Sequence, residues 1–316
     1  MLAFLEIIAG LILLVGGGDV LVKGAVALSK NLGVSSIVIG LTVVAFGTSA
    51  PELFISVQSA VDHPDIAIGN VLGSNIANVM LVIGATTLVM PVVVHKQMAR
   101  RDGSVMMLIT LLFVIWTMNG TLHSFEGGVL LIIVAAYTLY TIRDVRLNRA
   151  DPSIIEGIEE ETNVEMRTGM ALLYCLGGVF LLSFGSEVLI EGAVTLAELI
   201  GLSKAVIGVT IIAVGGSTPE LVTCLVAAFK RHGDIGLANV VGSNIFNLTA
   251  VIGAATMVAP LPIAEQFRQV DLWVLLGVTF AFFAAMLARK QIGRIEGVVM
   301  LVAYMSYVGW QYNIIA

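Results

Sequence analysis

The chain has 316 residues, of which 58% are hydrophobic and 12% are charged, and its mean hydropathy is +1.00. Soluble domains carry about a quarter of charged residues, so this composition excludes an ordinary soluble protein and indicates an integral membrane protein. The formal net charge of −6 excludes no partner, because acidic residues cluster in one loop.

Apolar stretches long enough to cross a hydrocarbon core of about 30 Å recur along the whole chain. We predict no cleaved signal peptide, because the start of the chain has no basic region and its apolar pattern continues. The longest polar stretch, residues 144–168, is predicted to be a cytoplasmic linker between a first half, 1–143, and a second half, 169–316. The ten predicted spans are 3–29, 35–61, 66–91, 104–119, 124–143, 169–198, 203–229, 235–259, 271–288 and 294–313.

The basic residues predict the orientation, because cytoplasmic loops of membrane proteins collect Lys and Arg. With the N-terminus outside, all of the sixteen basic residues except Lys204 and Arg268 fall in or near inside loops. We therefore expect a multi-pass protein of the cell membrane with both termini outside.

The two halves repeat each other. With an offset of 168 residues, Val20–Glu52 matches Val188–Glu220 at 17 of 33 positions, and after a one-residue insertion Gly69–Val79 matches Ala238–Leu248. Five spans per half is an odd number, so the second copy crosses the membrane in the opposite direction. Inverted repeats with interrupted helices are typical of secondary transporters. The sequence thus predicts an all-α membrane protein of ten transmembrane helices in two inverted five-helix repeats, with broken helices at a central ion site.

Each repeat carries a glutamate within an apolar run, Glu52 in GTSAPE and Glu220 in GGSTPE. A charged carboxylate at the bilayer centre costs about 2.5–3.5 kcal/mol or more, so each glutamate must face a partner or water. The proline and glycine beside each are expected to open the helix and to leave carbonyls unpaired at 45–46 and 213–214. Free carbonyls in a membrane are tolerated where they line a cavity or bind something.

Neutral oxygens accompany the two carboxylates. Ca²⁺ and Na⁺ prefer carboxylate, carbonyl, hydroxyl and amide oxygens, so these motifs predict a site for hard cations. A second motif, GSN, follows each glutamate within a GSNIxN segment. The serine and the last asparagine of that segment are four residues apart and share one helix face. Taken alone, GSN is equally compatible with close helix packing. The residues that supply these oxygens are Thr48, Ser49, Ser217, Ser74, Asn78, Ser243 and Asn247.

With GTSAPE, GGSTPE and the two GSNIxN segments, the chain resembles over essentially its full length the sodium/calcium exchangers of the cation/calcium antiporter superfamily. The resemblance implies an antiporter, not an enzyme, that exchanges several Na⁺ for one Ca²⁺, with both ions as substrates and no cofactor. It implies Glu52 and Glu220 as ligands shared by both ions, and the carbonyls of Thr48 and Gly216 as Ca²⁺ ligands. It further implies flanking Na⁺ sites completed by Ser49, Ser217, Ser74, Ser243 and the carbonyls of Ala45 and Ala213. At the centre of the site it implies a contribution from Asn78 and Asn247.

The chain departs from the family pattern at two positions. Gly216 replaces the common threonine, and Asn247 stands where some relatives carry aspartate, which leaves two carboxylates and argues against K⁺ co-transport. The short linker lacks the large regulatory domain of animal exchangers, so the resemblance implies a prokaryotic member. We expect lipid as the surroundings, no nucleic-acid partner and no obligatory protein partner.

Some alternatives remain open at this point. A Ca²⁺/H⁺ antiporter would have the same fold, and a cation channel would conduct without a counter-ion. An intramembrane protease is excluded, since no Ser–His pair or HExxH motif lies within the spans. The first and sixth spans, rich in small residues, are expected to slide as the gate, and the acids on them, Asp19 and Glu187, have no assigned role.

Overall fold

A computed structural model of the protein describes residues 2–147, 166–199 and 213–315, and helices account for nearly all of them. In the first half the elements are α1 (Leu2–Leu32), α2 (Ser36–Thr48), α3 (Ala50–Ser59), α4 (Pro64–Val89), β1 (Val92–Val93), α5 (Lys96–Thr117), β2 (Thr121–Leu122) and α6 (Ser124–Leu147). In the second half they are α7 (Thr168–Leu199), α8 (Ala213–Gly216), α9 (Thr218–Phe229), α10 (Gly233–Val258), β3 (Leu261–Pro262), α11 (Phe267–Ala288), β4 (Gln291–Ile292) and α12 (Arg294–Ile315).

The predicted spans correspond to these helices. In the described part of the chain, six helices are long and apolar enough to cross a membrane: α1, α4, α6, α7, α10 and α11. The pair α2 and α3, bent by 42°, forms a seventh, and α5, α9 and α12 cover the remaining predicted spans. Residues 203–212 of the seventh predicted span and 148–165 of the predicted linker lie outside the described residues.

Two short antiparallel ribbons join the halves. Strand β1 pairs with β4, with Val92 opposite Ile292, and β2 pairs with β3, with Leu122 opposite Leu261. In each ribbon a loop of one half pairs with a loop of the other half. The loop after the third span therefore lies at the same end of the molecule as the loop after the ninth, as ten alternating spans require. The pairing confirms the predicted inverted repeat.

Helices α4 and α10 form the centre of the molecule. The most apolar window of each is 72% and 94% buried, against 33% and 28% for α1 and α7. The outer helices expose leucine, isoleucine and phenylalanine, which a bilayer accommodates as readily as a protein core does. The GSN segments, which belong to α4 and α10, are therefore placed at the centre of the fold.

Helices α1 and α7 run antiparallel and pack along their length with glycines at the contact. A Cβ on Gly10 would lie 2.7 Å from the Leu189 nitrogen, and a Cβ on Gly178 would lie 2.6 Å from the Leu21 nitrogen. Small residues allow such close backbone approach, which gives membrane helices their van der Waals contact. The glycines recur every seven residues and are equivalent between the repeats: Gly10, Gly17 and Gly24 on α1, and Gly178, Gly185 and Gly192 on α7.

Each half also contains a buried aspartate held by a tyrosine. Tyr137 donates to Asp102 Oδ1 at 2.9 Å, and the repeat-equivalent Tyr307 donates to Asp271 Oδ1 at 2.5 Å. Arg101 adds hydrogen bonds of 2.9 and 3.1 Å to Asp102. These contacts connect α5 to α6 and α11 to α12, and so hold the last two helices of each half together.

The glycine contact can be tested with a pair of neighbouring substitutions. We expect Gly178→Ala to lower the thermal unfolding temperature of the purified protein in detergent, because overpacking a close contact costs about 1–3 kcal/mol. Gly177→Ala is the matched control: a Cβ there meets no atom within 4 Å, so stability should be unchanged or slightly higher. Equal unfolding temperatures for the two variants would contradict the close approach of α1 and α7.

Candidate functional site

In both repeats a helix is interrupted at the serine that lies two residues before the proline, Ser49 or Ser217. Ser49 has φ −86° and ψ 4°, and Ser217 has φ −92° and ψ 10°, so the helical path is interrupted at each. The next helix begins with proline in its first turn, where no amide donor is required. Glu52 and Glu220 consequently lie in the first turns of α3 and α9, where the positive end of the helix dipole favours a negative charge.

The expectation that the Ala45 carbonyl would be unpaired is wrong. The Ser49 amide donates to it at 3.1 Å, and the Thr48 hydroxyl lies at 3.5 Å, because the helix continues up to the break. A proline removes the donor for the carbonyl four residues earlier, which is that of residue 47 or 215. In the second half Ser186 of α7 replaces that donor, at 2.9 Å from the Gly215 oxygen.

The two glutamates meet in the interior. Glu52 is 1% exposed and Glu220 is 0% exposed. Ser49 of the first repeat donates its hydroxyl to Glu220 Oε1 of the second at 3.3 Å. Both carboxylate oxygens of Glu52 and Oε2 of Glu220 have no hydrogen-bond partner in the described structure. A pair of buried carboxylates with three unpaired oxygens is suited to hold a cation between them.

The GSN segments bring neutral oxygens to the same interior through contacts between the repeats. Asn247 donates its amide N–H to Ser74 Oγ at 3.1 Å, and Asn78 donates to Asn244 Oδ1 at 3.1 Å. Since the amide nitrogens are used in these contacts, the amide oxygens face elsewhere. Oδ1 of Asn78, Oδ1 of Asn247 and Oγ of Ser217 are all buried and unpaired in the described structure.

Local helix geometry at the two asparagines is also shared. A π-helical turn begins at Asn78 and ends at Val82, and another begins at Asn247 and ends at Val251. Single π turns inside α-helices occur frequently at functional sites, because the wider turn redirects side chains and loosens the backbone ladder. The repeat therefore reproduces both the residue and its backbone setting.

The unpaired atoms of the central cluster identify its chemistry. Each is an oxygen, and leaving such an atom buried without a partner costs about 1–3 kcal/mol. A hard cation satisfies several oxygens at once, which no single water does as well. Among the described residues no group of three His, Cys, Asp or Glu is found, so the cluster has two carboxylates and is completed by neutral oxygens.

Two asparagines near the cluster were missed by the sequence analysis. Asn239 Oδ1 accepts a hydrogen bond from the Thr48 hydroxyl at 3.2 Å, and the Asn70 amide donates to the Glu52 carbonyl at 3.3 Å. They are equivalent positions of the two repeats, in GNVLGSN and ANVVGSN, and this match was the available signal.

The acids of the first and sixth spans lie apart from the cluster. Asp19 forms ion pairs with Lys23 at 2.7 Å and with Lys230 at 2.5 Å, and so connects α1 to the end of α9. Its equivalent Glu187 is exposed. Cys175 and Cys224 are free and buried.

The chain is similar over nearly its whole length to several known proteins. The family described as sodium/calcium exchanger protein matches residues 2–143 and 170–313. The putative antiporter CaxA of Alkalimonas amylolytica is 36% identical, covering 99% of this chain and 98% of its own. The sodium/calcium exchanger MaX1 of Methanosarcina acetivorans is 32% identical, covering 96% and 97%. The sodium-calcium exchanger NCX_Mj, soaked with Na⁺ and Sr²⁺, superposes with a TM-score of 0.84 at 30% identity over 98% of both chains.

The carboxylate pair can be tested by binding alone. We expect Glu52→Gln and Glu220→Gln each to weaken Ca²⁺ binding at least about 100-fold, because each removes one full charge from a site where charge is poorly screened. Equilibrium binding of ⁴⁵Ca²⁺ to purified, monodisperse protein measures the effect. Glu126→Gln is the control: Glu126 is half-buried at the start of α6, and it accepts a hydrogen bond from the His123 amide. Wild-type affinity in either core variant would contradict the two-carboxylate site.

Proposed function

The chain belongs to the sodium/calcium exchanger protein family, and from this premise we propose that it exchanges several Na⁺ for one Ca²⁺ by alternating access. The observation that carries the proposal is the pair of buried, repeat-related carboxylates with unpaired oxygens. As a member of this family, the protein is a membrane-embedded exchanger. The number of ions, the coupling and the movement are the parts that we propose.

Charge balance provides the coupling. One Ca²⁺ neutralises Glu52 and Glu220, and so does a group of Na⁺ ions that shares the same oxygens. An empty site leaves two negative charges in a medium of low dielectric, which is strongly unfavourable. Loaded carriers can therefore reorient, while the empty carrier is held back, so that one ion moves only in exchange for the other.

We assign the ligands as follows. The two glutamates bind both ions, and the main-chain carbonyls of residues 48 and 216 bind Ca²⁺. The support for the neutral ligands is that several of their oxygens are buried and unpaired. The other proposed ligands, at flanking or central positions, are Ser49, Ser217, Ser74, Ser243, Asn78, Asn247 and the carbonyls of Ala45 and Ala213.

The moving part is proposed to be the pair α1 and α7. Their glycine contacts bring the two backbones close enough for the pair to move as one body. Its polar contacts to the remaining helices include the ion pair from Asp19 to Lys230 and the hydrogen bond from Ser186 to the Gly215 carbonyl. A sliding movement of the pair would exchange these contacts and open the site to the other side.

The transport proposal is tested in proteoliposomes. We expect ⁴⁵Ca²⁺ uptake to require an opposing Na⁺ gradient and to proceed at the same rate with or without K⁺, because Asn247 adds no third carboxylate. Uptake driven by a pH gradient without Na⁺ would establish a Ca²⁺/H⁺ antiporter instead. Flux that needs no counter-ion would establish a channel, and an absolute K⁺ requirement would refute the interpretation of Asn247.

The orientation is tested by labelling. We propose that both termini lie outside and that the linker, 144–168, is cytoplasmic. In a chain with Cys175→Ala and Cys224→Ser, a cysteine at Gly157 of the linker should react with an impermeant maleimide in inverted vesicles only. A cysteine at His123, which is exposed in the loop before α6, should react in intact cells. The reverse labelling pattern would refute the proposed topology.

A further inference from the structure

Asn70 and Asn239 are equivalent residues of the two repeats, and Asn239 lies beside a threonine, Thr48. Its oxygen accepts from the Thr48 hydroxyl at 3.2 Å, and its nitrogen faces Cys224 Sγ at 3.7 Å. Asn239 is 0% exposed and Thr48 is 1% exposed. In this half of the molecule the amide oxygen is therefore already occupied by a hydroxyl and shielded from solvent.

Asn70, the equivalent residue on α4, is oriented in the same way. Its amide nitrogen donates to Ser56 Oγ at 3.0 Å and to the Glu52 carbonyl at 3.3 Å. A carbonyl oxygen only accepts hydrogen bonds, so the nitrogen of Asn70 must face Glu52 and the oxygen must face away. The oxygen faces Gly216: it would lie 3.9 Å from a Cβ built on that glycine.

The two repeats differ at the residue that faces this amide oxygen. Position 216 is glycine where position 48 is threonine, so this position offers no hydroxyl to Asn70 Oδ1. Asn70 and Gly216 are both half-buried, whereas their equivalents are buried. Asn70 therefore presents a half-buried amide oxygen beside Gly216, while its N–H groups bond the Glu52 main-chain carbonyl and the Ser56 hydroxyl of α3.

We propose that Asn70 is a further ligand of the transported cation, through its amide oxygen, and that Gly216 makes this oxygen available. Amide oxygens are ordinary ligands for Ca²⁺ and Na⁺. The ion reaches Asn70 Oδ1 at the edge of the cluster and passes from it to Glu52, on the side where Gly216 leaves space. The inference rests on the proposed function and adds one ligand that the second repeat, with Asn239 bonded to Thr48, does not offer.

The first test compares the two asparagines. Equilibrium ⁴⁵Ca²⁺ binding to purified protein should show that Asn70→Ala raises the dissociation constant about 10-fold, the effect expected for one lost oxygen ligand. Asn239→Ala removes the twin side chain, whose oxygen is already bonded, and should raise it distinctly less. Equal shifts in the two variants would overturn the inference, because both asparagines would then act only by positioning α3 and α9.

The second test fills the space beside Asn70. In Gly216→Thr the new hydroxyl can bond Asn70 Oδ1 as Thr48 bonds Asn239, since Asn70 Oδ1 is the sole described atom within 4 Å of the added Cβ. We expect weaker Ca²⁺ binding than in Gly216→Ala, and no additional loss when Gly216→Thr is combined with Asn70→Ala. Additive losses would overturn the inference. Absence of Ca²⁺ binding by the wild type would instead refute the proposed function, so the two failures are distinguishable.

Discussion

Two buried carboxylates, one from each repeat, impose the main constraint on this structure. Three of their four oxygens have no hydrogen-bond partner among the described residues. The surrounding structure reduces this cost: the helix breaks place both glutamates in first turns, where the helix dipole is favourable, and Ser49 donates to Glu220. The oxygens that remain unsatisfied are those that the proposed cation would bind, so the constraint and the proposed exchange are two aspects of one arrangement.

The inverted repeat supplies this arrangement twice, and the differences between the copies are as informative as the matches. Equivalent features recur at the π turns and at the buried Asp–Tyr pairs. The equivalent asparagines Asn78 and Asn247 donate to different partners, Asn244 and Ser74. The copies differ at one pair of equivalent positions, Thr48 in the first repeat and Gly216 in the second. A strictly symmetric site would offer the same ligands from both repeats. With glycine at position 216, the amide oxygen of Asn70 is offered no hydroxyl by that position, whereas that of Asn239 is bonded to Thr48.

The central and the outer helices of the fold differ in burial. The most apolar windows of the central helices α4 and α10 are 72% and 94% buried. Helices α1 and α7 pack against each other through glycines at heptad spacing, and large parts of both face lipid. In the proposed exchange this pair is the part that moves, while α4 and α10 hold proposed ligand oxygens.

The sequence by itself determined the membrane class, the ten spans, the repeat and the identity of the two glutamates. These properties follow from apolar length, from the direct match of the halves, and from the high cost of a carboxylate in hydrocarbon. Only the tertiary structure decided which atoms of the site are left unpaired. It showed that the Ala45 carbonyl is already bonded, that Asn247 reaches Ser74, and that Asn70 and Asn239 belong to the cluster. Hydrogen-bond partners between α4 and α10 are more than 160 residues apart in the chain, so no local pattern specifies them; they are fixed by the crossing of two helices that only the folded protein brings together.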